Sequence, residues 1–148
     1  MKKVMLVGPV GAGKTSLIKA LNQDDSKAGK TNSICFYDGA IDTPGEYCQI
    51  PRFYSALLVT AVEAEVVLIV QDAADCRPTL PPGFAGMFSR PLVGVVTKID
   101  LPHANREKAQ ECLREVGVTR PIFFVSAITG EGLIELSNYL VEGGCKYE

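Results

Sequence analysis

The stretch Gly8-Pro9-Val10-Gly11-Ala12-Gly13-Lys14-Thr15 decides the fold of this chain. It matches the pattern G-x-x-x-x-G-K-[ST] at every defined position. A short apolar run, Val4 to Val7, precedes it, and Leu17, Ile18 and Leu21 follow it with helical spacing. A glycine-rich turn between a buried strand and a helix directs successive backbone N–H groups inward, where they bind phosphate oxygens. The stretch therefore predicts a P-loop, which binds the phosphates of a nucleotide.

The residues of this loop have distinct predicted roles. Its glycines allow the backbone to approach the phosphates closely. We expect Lys14 to neutralise the β- and γ-phosphates as a catalytic cation, and the Thr15 hydroxyl to ligate Mg²⁺. The predicted nucleotide-binding residues are Gly8, Gly11, Ala12, Gly13, Lys14, Thr15 and Ser16.

Beyond the P-loop, β-prone runs alternate with segments of helical spacing. The predicted strands are Val4–Val7, Ser33–Tyr37, Val66–Val70, Leu92–Val96 and Ile122–Val125. The predicted helices begin near Lys14, extend from Pro51 to Glu63, and contain Ala109 to Val116 and Leu133 to Leu140. This alternation predicts one α/β domain over residues 1–148, with three αβα layers and a mostly parallel sheet. Such sheets bind ligands at the carboxyl ends of their strands.

Composition excludes several classes of function. Apolar residues make up 47% of the 148 residues, and the formal net charge is −2, so we expect neither nucleic-acid binding nor membrane insertion. The N-terminal apolar run ends at Gly8, too early for a signal peptide. The five cysteines are scattered without a C-x-x-C pair, so we expect free thiols and a cytoplasmic location.

The segment Asp72–Arg90 departs from the alternation because its prolines and glycines exclude a long helix. It is compatible with a functional loop or with a shortened helix that has irregular flanks.

A second motif, Asp42-Thr43-Pro44-Gly45, follows Ile41 at the end of a β-prone run. A D-x-x-G pattern is weak alone, and its value comes from its position downstream of the P-loop. Asp42 is expected to hold Mg²⁺ through water, as a Walker-B aspartate does, and the Gly45 N–H to meet the γ-phosphate.

Two further motifs follow predicted strands and have residues suited to binding a nucleotide base. Thr97-Lys98-Ile99-Asp100 ends the Leu92–Val96 run, and Ser126-Ala127 follows Ile122–Val125. A carboxylate at Asp100 accepts two hydrogen bonds from guanine, whereas adenine presents an acceptor there, which is costly for a carboxylate. We expect the stem of Lys98 to lie along the base plane and backbone N–H groups at Ser126 and Ala127 to reach guanine O6. Thr97, Lys98, Asp100, Ser126 and Ala127 are therefore predicted to bind the base.

Together these motifs resemble the G boxes of Ras-like GTPases, including the Era and TrmE-like bacterial members, over nearly the whole chain. Ile41-Asp42-Thr43-Pro44-Gly45-Glu46-Tyr47, Tyr54-Ser55-Ala56-Leu57 and Lys30-Thr31 resemble the EutP/PduV family more closely. The resemblance implies a Ras-like G domain that binds Mg²⁺ with GTP, ATP being the alternative nucleotide. It also implies a role in ethanolamine or propanediol utilization, with microcompartment shell proteins or pathway enzymes as partners.

The chain departs from the Ras-like pattern in three places. The spacing from the P-loop to Asp42 is short, so the first switch is trimmed, with Thr31 as its candidate catalytic threonine. Thr97 replaces an Asn, which we expect to weaken a contact that ties the loops together. Glu46 stands where Ras-like enzymes carry a water-orienting Gln. Because Glu46 adds negative charge beside the γ-phosphate, we expect slow hydrolysis.

Two classes of function remain open, and a third is weaker. The first is a switch GTPase, in which hydrolysis changes loop structure and partner binding. The second is a phosphotransferase acting on a small carboxylate such as acetate. Arg52 is the candidate cation that would bind this carboxylate, although an arginine at this position is more often a surface residue at the start of a helix. The third is a nucleotide-binding adaptor with negligible turnover.

Overall fold

The structure, a computed structural model, describes residues 3–21, 35–37, 40–75, 80–119 and 121–140. The strands are β1 (Val4–Val7), β2 (Cys35–Tyr37), β3 (Ala40–Asp42), β4 (Val66–Asp72), β5 (Leu92–Thr97) and β6 (Ile122–Phe124). The α-helices are α1 (Lys14–Leu21), α2 (Gly45–Gln49), α3 (Tyr54–Ala61), α4 (Arg106–Val116) and α5 (Leu133–Asn138). Two short 3₁₀ helices occupy Pro51–Phe53 and Phe84–Met87.

The six strands form one sheet in the order β2-β3-β1-β4-β5-β6. Five strands are mutually parallel, and β2 pairs antiparallel with β3 at one edge. Because β1 lies between β3 and β4, the P-loop leaves the sheet near its centre. The register pairs Leu6 with Asp42 and Asp72 with Thr97, so the polar ends of four neighbouring strands meet at one edge.

Side chains that alternate along the central strands form two apolar layers. Val4 and Leu6 of β1 pack with α1 and α5 on one face, where Leu17, Leu136 and Leu140 are buried. Met5 and Val7 face the other layer, which contains α3, α4 and the Phe84–Met87 turn. Helices therefore cover both faces, which confirms the predicted three-layer αβα fold with a mostly parallel sheet.

The region after Asp42 is more broken than predicted. The helix expected over Pro51–Glu63 consists of a 3₁₀ turn at Pro51–Phe53 followed by α3, and α2 was not predicted. The spacing i, i+3, i+4, i+7 predicts an apolar stripe of Tyr54, Leu57, Leu58 and Ala61. Leu57 and Ala61 are buried, but Leu58 is exposed, so this prediction is wrong at Leu58. A five-residue helix between two prolines is too short to show the 3.6-residue periodicity of apolar positions, so α2 was not predicted.

The Asp72–Arg90 segment has the form of a shortened helix with irregular flanks in its described part. The Phe84–Met87 turn buries Phe84 and Ala85 against the core, and Phe88 follows it inward. Arg90 donates to the carbonyls of Ala61 and Val62 at the end of α3. These contacts make the described part of the segment a packing element of the α3 layer.

Some predictions fall outside the described residues, among them Thr31, the Asp38-Gly39 turn and the tail from Gly143. Within the described residues, Cys48 carries a free thiol, as predicted for this residue. In the same residues, every helix is too short or too polar to cross a bilayer.

Candidate nucleotide-binding site

The P-loop forms a tight turn between β1 and α1. Gly11 and Gly13 have φ angles of 85° and 95°, which side chains with a Cβ rarely adopt. The Ala12 N–H donates to the Pro9 carbonyl at 3.1 Å, and the Leu17 N–H donates to the Gly13 carbonyl at 2.9 Å as α1 begins. The loop therefore has the compact backbone that a phosphate-binding turn requires.

Lys14 is buried inside this loop rather than extended into solvent. Its Nζ donates to the carbonyls of Gly8 at 2.7 Å and Pro9 at 3.0 Å. Burial lowers the pKa of the Lys14 ammonium, while neighbouring Cys48, Asp42 and Glu46 act in the opposite direction. The loop's own carbonyls thus hold the cation in place.

Thr15 and Asp42 come together although they are far apart in sequence. The Thr15 hydroxyl donates to the Asp42 carboxylate, and Asp42 is fully buried at the end of β3. The next residue, Thr43, donates to the Leu6 carbonyl at 2.8 Å and so ties this turn to β1. A hydroxyl and a carboxylate at the foot of the P-loop are hard oxygen ligands, so this pair fits Mg²⁺.

The turn after Asp42 packs directly on the P-loop. A Cβ at Gly45 would lie 2.5 Å from Val10 Cα and 2.6 Å from Val10 Cγ2, so only glycine fits there. Glu46 is half-buried and lies within electrostatic range of Lys14. The Cys48 thiol, buried at 1% exposure, donates to the Gly45 carbonyl at 3.1 Å. Sequence reasoning missed Cys48, because a single cysteine in a helical turn carries no distinguishing pattern.

The loop after β5 packs against the other side of the P-loop. The Thr97 hydroxyl donates to the Ala12 carbonyl at 2.5 Å. The contact between loops that we expected the Thr to weaken is therefore made by Thr97 itself. Lys98 adopts a φ of 62°, and its Nζ donates to the Gly11 carbonyl at 2.6 Å. This left-handed backbone turns the lysine stem back over the P-loop.

Asp100 and Ser126 meet beyond the Thr97–Lys98 loop. The Ser126 hydroxyl donates to Asp100 Oδ1 at 2.8 Å and accepts the N–H groups of Ile128 and Thr129 at 3.2 and 3.0 Å. Ser126 is buried, whereas Asp100 is exposed, so the serine fixes a carboxylate that remains open to a ligand. Ala127 is half-buried in the same turn.

The structure thus brings together most of the residues predicted from sequence. The P-loop, the Asp42–Glu46 turn, the Thr97–Asp100 loop and the Ser126–Ala127 turn lie at one edge of the sheet. Ser16 is exposed on the first turn of α1. Sequence reasoning also missed Asp72, which forms a salt bridge with Lys98 at 3.1 Å. A charged residue at the carboxyl end of a buried strand was the available signal.

The fold and this arrangement of loops define a P-loop domain with the αβα architecture of Ras-like GTPases. The chain belongs to the PduV-EutP family, described as "Ethanolamine utilisation - propanediol utilisation", whose model matches residues 1–142.

Known proteins similar to this chain agree with that placement. The chain is 37% identical over 140 residues to the "Propanediol utilization protein PduV" of Citrobacter freundii, covering 95% of this chain and 93% of the relative. It is 38% identical over 142 residues to the "Probable acetate kinase EutP" of Salmonella typhimurium, covering 95% and 89%.

A solved structure shows the same fold. The crystal structure of Aquifex aeolicus Era bound to GDP and AlF4⁻ superposes with a TM-score of 0.68 at 23% identity. The match covers 100% of this chain, which spans 59% of the Era chain.

Proposed function

We propose that this protein binds Mg²⁺-GTP and hydrolyses it slowly. The observation that carries the proposal is the hydrogen bond from Ser126 to Asp100, beside a Lys98 that reaches the P-loop. It holds an exposed carboxylate on the base side, while Lys14 and the loop amides occupy the phosphate side. The two ends match the two ends of a guanine nucleotide.

Selection of guanine follows from the chemistry of Asp100. Its carboxylate accepts the N1–H and N2–H₂ donors of guanine, whereas adenine would place a lone pair against it. A site built around such a hydrogen bond can reject the wrong base by roughly 10⁴–10⁵. The serine contributes by holding Asp100 Oδ1 in one orientation before the base arrives.

The phosphate side offers ligands for a metal ion. Thr15 and Asp42 would hold Mg²⁺, which when bound neutralises charge on the β- and γ-phosphates. Lys14, held by the carbonyls of Gly8 and Pro9, is pre-positioned to add a second positive charge.

Slow turnover follows from Glu46. This carboxylate lies near Lys14 in the phosphate site, where the related Ras-like position carries a neutral amide. Its negative charge opposes the charge that builds up on the transferring phosphoryl group. We therefore assign basal hydrolysis to the P-loop and its metal, with Glu46 slowing the reaction and Thr31 sensing Mg²⁺ and the γ-phosphate.

The cellular setting is part of the proposal and rests on the family. We propose that this chain acts in the cytoplasm during ethanolamine or propanediol utilization, in association with the bacterial microcompartment of that pathway. Its partners are then shell proteins or pathway enzymes that recognise one nucleotide state.

Titration of the purified protein with GTP and ATP tests nucleotide choice. We expect strong preference for GTP, and Asp100→Asn should shift preference toward xanthine nucleotides, whose C2 carbonyl needs a donor. Glu107→Gln, which removes an exposed carboxylate from α4, is the matched control and should bind as the wild type does. Equal wild-type affinity for ATP and GTP would overturn the guanine assignment.

Product identification with and without acetate tests the reaction. Hydrolysis predicts GDP and inorganic phosphate at the same rate in both mixtures. Transfer to acetate requires a cation for the acceptor carboxylate, and Arg52 is exposed with its guanidinium 4.9 Å from the ring centroid of Phe53. That contact explains the position of Arg52 without an acceptor, so we propose hydrolysis. Formation of acetyl phosphate would reverse this choice.

A further inference from the structure

Lys98 sits where three parts of the site meet. Its Nζ donates to the Gly11 carbonyl at 2.6 Å and to Asp72 Oδ2 at 3.1 Å. Its Cε would lie 3.8 Å from a Cβ at Gly13, so the stem passes directly over the P-loop backbone. The ammonium therefore joins the end of β4 to the phosphate-binding loop.

The Asp72 carboxylate is built into the end of β4. Its Oδ1 accepts the Ala74 N–H at 2.7 Å, which fixes the direction of Oδ2 toward Lys98. The Asp72 side chain is 14% exposed and the Lys98 side chain 39%, so the aspartate is the better shielded partner.

Neighbouring residues hold this turn in place. Gln71, itself buried, donates to the carbonyls of Asp72 at 3.0 Å and Asp75 at 2.9 Å. The Ala73 N–H donates to the Thr97 carbonyl at 2.9 Å, and the Ala73 carbonyl accepts the Asn105 N–H at 2.8 Å. Asp72 therefore has a fixed position relative to the loop that carries Lys98.

Lys98 needs such a partner because its own backbone is unfavourable. A φ of 62° in a residue other than glycine is strained and persists only when surrounding contacts hold it. The flexible lysine side chain also loses rotamer freedom when it is held over the P-loop. An opposite charge at 3.1 Å provides a directional contact that offsets these costs.

We propose that Asp72 is a positioning residue for nucleotide binding. It holds the Lys98 side chain so that its stem lies along the plane of the purine base. This inference rests on the proposed nucleotide site and adds a residue on β4 to it. Asp72 touches neither base nor phosphate in this scheme and acts only through Lys98.

A double-mutant cycle with Asp72→Asn and Lys98→Met tests the proposal. Asparagine keeps an oxygen for the Ala74 N–H, so the turn survives while the charge is lost. We expect Asp72→Asn to weaken binding of a fluorescent GDP analogue by about tenfold, the scale of one charged hydrogen bond. In the Lys98→Met background, Asp72→Asn should have little further effect, because the two residues act as one unit.

Arg106→Gln is the matched control. It removes the exposed Arg106–Glu131 ion pair, which has a similar length of 3.2 Å, and should leave GDP affinity unchanged. The same four proteins of the cycle are also unfolded in urea without nucleotide, so that a purely structural pair can be recognised.

The outcomes separate this inference from the proposed function. Coupling in GDP affinity between the two substitutions supports the inference. Coupling in stability alone, with GDP affinity unchanged by Asp72→Asn, overturns it while the nucleotide site stands. A wild-type protein that binds neither GDP nor GTP overturns both.

Discussion

Replacement of Gly45 by alanine tests the contact between the Asp42–Gly45 turn and the P-loop. The added Cβ would lie 2.5 Å from Val10 Cα and 2.6 Å from Val10 Cγ2. Carbon atoms in ordinary contact are about 3.5–4.0 Å apart, so Val10 and Gly45 must separate by roughly 1 Å. Gly45 begins α2 and needs no unusual backbone angle, so the strain arises from packing alone.

Overpacking of this kind costs about 1–3 kcal/mol. In a domain of this size each kcal/mol lowers the Tm by roughly 2–4 °C. We therefore expect Gly45→Ala to lower the Tm by several degrees and to reduce the free energy of unfolding in urea. Because the turn moves away from the P-loop, affinity for a non-hydrolysable GTP analogue should fall more than affinity for GDP.

Gly86→Ala is the matched control for this prediction. Gly86 lies in the Phe84–Met87 turn, and a Cβ there would meet nothing within 4 Å. That variant should be as stable as the wild type or slightly more so. If Gly45→Ala and Gly86→Ala have the same Tm, the packing argument is refuted.

Three further predictions concern the phosphate site. Lys14→Ala should abolish detectable binding of Mg²⁺-GTP in calorimetry while the far-UV circular dichroism of the protein is kept; unchanged affinity would contradict the site. Glu46→Gln should leave single-turnover GTP hydrolysis equal or faster, whereas a loss of ~10²–10⁴ would make Glu46 a general base. Burial raises the pKa of the Cys48 thiol from 9.0 to about 12. The thiol therefore ionises at lower pH in the unfolded chain than in the folded protein, and the free energy of unfolding falls as pH rises from 9.0 toward 12. At about pH 10 this loss is about 1.4 kcal/mol, and urea unfolding of Cys48→Ala should lack it; equal pH slopes for the two proteins would contradict the assignment.

The P-loop and its flanking elements were predictable because they are encoded locally. The Val4–Val7 strand, the glycines and the helix from Lys14 each depend on neighbours within a few residues. The same holds for β4, β5 and β6. The predicted ends of these strands differ from the observed ends by at most two residues, and the largest difference is at β4. Periodicity and turn chemistry carry that information without any knowledge of the sheet.

The broken helix after Asp42 could not be derived in this way. Pro51 begins a 3₁₀ turn, and the exposure of Leu58 is not visible in its apolar character. Tyr54 of α3 packs against Phe84, thirty positions later in the chain, with 5.4 Å between the ring centroids. Tertiary packing overrides a weak local signal there.

The sequence by itself determined that this chain has a P-loop, alternating strands and helices, and polar motifs at strand ends. Only the tertiary structure decided how the loops support one another. The Thr97–Ala12 and Lys98–Asp72 contacts, and the packing of Gly45 on Val10, each join segments separated by at least 26 positions. Their partners are set by the order and register of the parallel strands, a non-local property of the whole sheet that no local pattern contains.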